Sequence, residues 1–166
     1  MARILAAVLS VNLIAGALGL IAVWWRSRDQ SVVDTAALGQ STDPQLQQLL
    51  MSEAASAGMN WWLIVIVAAA VLAFGWLVLA YLRKPATPEQ ARSAKVSWWV
   101  MLLLSLVVAL VAGFLIYRNA NVASDWRLTL VIAGMIAAPL VYWISTAFGV
   151  KASMTPSVPL ANFVRR

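Results

Sequence analysis

The sequence predicts an all-α integral membrane protein with four transmembrane helices, both ends on the cytoplasmic side (N-in/C-in), and a short amphipathic helix in the outer loop. Three observations lead there. Four long apolar runs contain no Asp, Glu, Lys or Arg; the charges are confined to the segments between them; and tryptophans cluster at the ends of the runs. Across 166 residues, 63% are apolar and 11% charged, less than half the charge of an ordinary soluble domain. The whole chain, 1–166, reads as one membrane domain, because no hydrophilic stretch is long enough to build a second core.

The first predicted span is 4–25. Arg3 and Ala15-Gly16-Ala17 imitate a secretory signal, but the apolar run continues unbroken to Trp25, too long for an ordinary signal core, so an uncleaved anchor is expected. The outer loop, 26–60, holds Thr42-Asp43-Pro44-Gln45, a helix-start signal of capping side chain, early Pro and following Gln. Leu46, Leu49 and Leu50 then recur at i, i+3 and i+4, which predicts a short amphipathic helix lying on the outer leaflet, on the bundle or against a partner.

The second span is 61–82, followed by an inner loop, 83–97, with another start signal, Thr87-Pro88-Glu89-Gln90. The third helix is therefore expected to begin before the membrane, and Arg92 and Lys95 to meet lipid headgroups. The third span, 98–117, and the fourth, 128–150, complete the set. A run of about 20 residues covers the roughly 30 Å hydrocarbon layer, and helical backbone satisfies its own polar groups there. The tail, 151–166, is oddly apolar: Leu160 and Phe163 are candidates for docking on a partner or under the bundle itself.

Sidedness follows from the basic residues, which resist translocation near span ends. With the N-terminus inside, Arg3, Arg83, Lys84, Arg92, Lys95, Lys151, Arg165 and Arg166 are cytoplasmic, against Arg26, Arg28, Arg118 and Arg127 outside. Trp24, Trp25, Trp61, Trp62, Trp98, Trp99 and Trp126 fall at predicted borders, where indole forms interfacial belts. Trp76 and Trp143 lie deeper and call for packing partners.

The chain has no His and no Cys, which excludes imidazole and thiolate ligands, disulfides and thiol nucleophiles. No carboxylate lies within a run, so a proton path or acid–base pair at depth has no titratable group to use. Neither enzyme activity, a cofactor nor a metal is expected. The polar candidates within the runs are Asn12, expected to seek an interhelical partner, and Tyr142, Ser145 and Thr146 beyond Pro139, where a kink is expected. Ser105, Ala109 and Gly113 form a four-residue stripe of small side chains, and Ala15 with Gly19 a comparable pair, the signature of close helix packing.

The expected role is a non-catalytic structural or assembly subunit of a multi-protein complex in a bacterial inner membrane, such as a secretion, conjugation or energy-transducing machine. Its partners would be the bilayer, other membrane subunits and, as an option, further copies of itself, not nucleic acid. A small oligomeric channel or transporter, and a membrane-perforating effector or holin, are the competing classes.

Overall fold

A computed structural model describes residues 2–29, 33, 43–82, 88–118, 122–150 and 157–161. Among the described residues lie four helices: α1 (Ala2–Arg26), α2 (Pro44–Leu82), α3 (Pro88–Tyr117) and α4 (Ser124–Gly149). All four are long and apolar enough to cross a membrane, the architecture of a multi-pass membrane protein. Among the described residues no strand forms; Val33 and Val122 make an isolated antiparallel bridge.

The helix starts obey the local signals. Asp43 caps α2, its Oδ1 accepting the Gln45 backbone N–H at 2.9 Å. α3 begins at Pro88, as the Thr-Pro signal predicts, and its 30 residues reach about 45 Å. α4 starts at Ser124, ahead of the predicted span, and runs unbroken through Pro139.

The outer amphipathic helix is not a separate element. α2 continues without interruption from Pro44 to Leu82, 39 residues and about 58 Å, so residues 44–60 extend the second span by about 25 Å. The cause is a continuous buried stripe: Leu50, Ala54, Gly58, Trp61, Val65, Ala69, Ala73, Trp76 and Ala80 recur at spacings of three or four residues along one face. No proline interrupts the segment before Trp61, and Gly58, the weakest helix former there, lies on the buried side, where packing offsets its low propensity.

α2 and α4 form the central pair. Each packs against the other and against both remaining helices, which places α1 and α3 on opposite flanks. The core divides into two clusters. One, toward the α3–α4 turn, joins Val23, Ala54, Trp61, Trp62, Trp126 and Leu130; the other, toward the N-terminus of α1, joins Ile4, Trp76, Leu77, Trp98, Tyr142 and Val158. The 157–161 segment folds back under this second cluster, where Val158 and Ala161 are buried and the Trp143 indole N–H donates to the Pro159 carbonyl at 2.6 Å.

Candidate functional site

The candidate polar residues within the spans lie along α4, on its seam with α1 and on its seam with α3. Asn12 is buried, and its Nδ2 donates to the Val8 carbonyl of its own helix at 2.7 Å and to Ser145 Oγ on α4 at 3.2 Å. At the next residue of α4, the Trp98 indole N–H donates to Thr146 Oγ1 at 3.0 Å, and the Thr146 hydroxyl lies within reach of the Tyr142 and Trp143 carbonyls. The Tyr142 hydroxyl returns to α3, donating to the Trp98 carbonyl at 3.3 Å, with the two rings 5.4 Å apart. All four predicted polar residues are thus brought together, and they join helix to helix. Asn12 Oδ1 is left buried with no hydrogen-bond partner.

The tryptophans answer differently from a border belt. Trp24, Trp25 and Trp99 are exposed, whereas Trp61, Trp62, Trp98 and Trp126 are buried among the helices. Their neighbours explain the inward turn. The Trp61 ring occupies a slot made by Gly113 on α3 and Gly134 on α4, and the Trp62 ring lies over Gly19 on α1; a side chain at any of these glycines would meet the indole. The N–H of Trp61 donates to the Ala109 carbonyl, that of Trp62 to Gly16, and that of Trp76 to Ala94, each at 3.3 Å. The Ser105, Ala109, Gly113 stripe therefore faces inward, with Ser105 and Ala109 buried and the last two residues seating Trp61; it is an internal contact. Gly19 likewise receives Trp62, beside a half-buried Ala15.

No family model, curated protein or solved structure matches this chain.

The docking candidates separate. Leu50 is 5% exposed and belongs to the buried face of α2, which corrects its assignment to a partner surface: the i, i+3, i+4 stripe straddles the boundary of the helix face, and Leu50 falls on the Ala54 side. Leu46 is half-buried, and Leu49 is exposed. Leu160 is exposed in a left-handed backbone conformation (φ 59°), a geometry that costs a branched side chain energy. Phe163 and the Arg92 side chain lie outside the described residues.

Among the described residues no group of His, Cys, Asp or Glu has the arrangement of a metal site. The cluster around Tyr142 offers hydroxyls, an amide and indoles, a set suited to hydrogen bonding and not to proton transfer at neutral pH. What sequence reasoning missed is the pegging of indoles into slots. Position along the chain carried no such signal: the adjacent pair Trp24-Trp25 is exposed, Trp61-Trp62 is buried, and Trp98-Trp99 is split.

Proposed function

We propose that this chain is a non-catalytic structural or assembly subunit of a multi-protein complex in a bacterial inner membrane, with both ends cytoplasmic. The observation that carries the reading is where the polar groups go. Asn12, Trp98, Tyr142 and Thr146, together with Trp61, Trp62 and Trp76, join one span to another within the same chain. The interior between the helices is filled by indole and phenol rings, with Trp61, Trp76, Trp98 and Tyr142 at 1% exposure or less. A body so filled is suited to hold shape, and a solute path would have to run between copies instead of through one.

Contact with neighbours is supported by the surfaces outside the bundle. The 44–60 arm of α2, which extends past the predicted second span, carries exposed Leu49, Ser52, Glu53 and Ser56. At the opposite end the exposed Leu160 side chain is held at an unfavourable backbone geometry, a cost consistent with a contact residue. The bilayer and other membrane subunits are the proposed partners.

Solubilisation in a mild detergent from native membranes, followed by size separation and identification of co-migrating chains, tests the proposal. The expected result is a defined assembly with other subunits that weakens on Leu49→Glu or Leu160→Glu while the helical content of the chain is unchanged. Migration as a lone oligomer that passes ions in liposomes overturns it in favour of a channel.

A further inference from the structure

We propose that the groove between α3 and α4 at the end near their connecting turn is a binding site for one anionic phospholipid, its phosphate held by Arg118 and Arg127 and an acyl chain laid along Leu110, Phe114 and Val131. The groove encloses about 480 Å³ and is lined by Leu110, Gly113, Phe114, Arg118, Arg127 and Val131, within the range of small-molecule sites. This inference needs the four helices to cross a membrane; it does not depend on the subunit role or on which side faces the cytoplasm.

The polarity along the groove matches an amphiphile. Arg118 follows the last turn of α3, and Arg127 lies in the first turn of α4, so the short connection sets both guanidinium groups at one membrane border. From Arg118 to Leu110 the groove descends about 12 Å along the helix axis, with apolar lining the whole way. Among the described lining residues both charges are positive and none is a carboxylate. Arg127 is oriented by its Nε–H, which donates to the Val122 carbonyl at 2.8 Å; Arg118 is exposed. Guanidinium pairs suit phosphate, to which they offer parallel donors.

Gly113 forms part of the floor, backed by Trp61 and Val131: a Cβ there would lie 2.9 Å from Trp61 Nε1 and 3.3 Å from Val131 Cγ2. A second groove of similar size, about 470 Å³ between α2 and α3, is lined by Leu63, Ile64, Val67, Val71 and Val108 among other apolar residues, with no charge on it. Any acyl chain fits that one equally well. The arginine pair is what distinguishes the α3–α4 groove and selects a headgroup with negative charge.

The test is native mass spectrometry of the full chain in a non-ionic detergent, titrated separately with phosphatidylglycerol, phosphatidylcholine and inorganic phosphate. One phosphatidylglycerol is expected to remain bound at concentrations where phosphatidylcholine does not. Arg118→Gln should weaken it about tenfold or more, the effect of losing one charge-assisted contact, and Arg118→Lys should restore part of the affinity. Leu110→Trp, at a lipid-facing position, should block the groove and abolish retention with Arg118 intact. Equal retention of the two lipids, phosphate binding as tight as the lipid, or unchanged affinity in Arg118→Gln each overturns the proposal. So does retention in Leu110→Trp.

Discussion

Gly134→Ala is the sharpest perturbation the bundle offers. Trp61 is 0% exposed, and a Cβ on residue 134 would fall inside van der Waals contact with its six-membered ring. The ring has little room to retreat, because Gly113 closes the other side and the indole N–H is committed to the Ala109 carbonyl at 3.3 Å. Overpacking costs about 1–3 kcal/mol, and collision with a rigid ring belongs at the upper end. Removing a helical glycine returns about 1 kcal/mol of propensity. The net expectation is a loss of about 2 kcal/mol. With Trp61→Leu already present the ring is gone, and the same change should stabilise by up to about 1 kcal/mol, a coupling of about 3 kcal/mol between the two sites. Gly75 is the internal control: nothing lies within 4 Å of its would-be Cβ, so Gly75→Ala should be neutral or stabilising. Unfolding in mixed micelles by sodium dodecyl sulfate titration, followed by circular dichroism, measures all four variants. A Gly134→Ala protein as stable as the parent, or one destabilised equally in both Trp61 backgrounds, refutes the slot.

Three further outcomes are expected. Asn12→Leu forfeits an interhelical bond worth about 0.6 kcal/mol on average but removes the buried, unpartnered Oδ1, whose desolvation costs about 1–3 kcal/mol; stability by the same titration should hold or rise, and a drop of more than 1 kcal/mol (order of magnitude) contradicts the assignment. Trp143→Phe removes the donor to Pro159, so hydrogen exchange measured by mass spectrometry should quicken several-fold across 157–161 and stay unchanged in α2; equal protection in both proteins argues against the fold-back. Because the chain has no native thiol, Ser52→Cys on the α2 arm and Ser93→Cys on the first turns of α3 report sidedness directly: a membrane-impermeant maleimide applied to intact cells should label the first and spare the second, and the reverse pattern would invert the proposed orientation.

The four spans were legible because a charge-free run of 20 or so residues has few alternatives to crossing hydrocarbon. Two helix starts were legible as well, Pro44 and Pro88, because capping and proline signals act within a few residues of the chain. The unbroken length of α2 was harder. Hydropathy falls across 51–60, where Ser52, Glu53, Ser56 and Asn60 lie, and a window average registers that drop while missing the Leu50, Ala54, Gly58 stripe that keeps the helix packed. Tryptophan direction was not legible from position alone, since the same residue at a span end suits either an interface or a slot, and the glycines that decide between them sit on other helices. Asn12 needed a partner by the physics of burial, but Ser145 stands 133 residues away, beyond any local signal.

The indole slots show how a bundle can hold together when lipid is as apolar as its own side chains. In such a solvent burial of apolar surface gives little drive, and association depends on close contact and on polar atoms that have nowhere else to go. A tryptophan of α2 supplies both at once, a broad rigid face and an N–H that hydrocarbon cannot satisfy. Its acceptor is a carbonyl already engaged in a helix, which has a second lone pair but is normally screened by side chains. The three acceptors used by α2 are Ala109, Gly16 and Ala94, all small. Smallness therefore serves two purposes here, making room for the ring and uncovering the carbonyl. Because α2 donates all three bonds, two to α3 and one to α1, the flanking helices are fixed through the central one even though they scarcely meet each other. The stripe of small residues on α3 and the tryptophans on α2 are in this sense two halves of a single device.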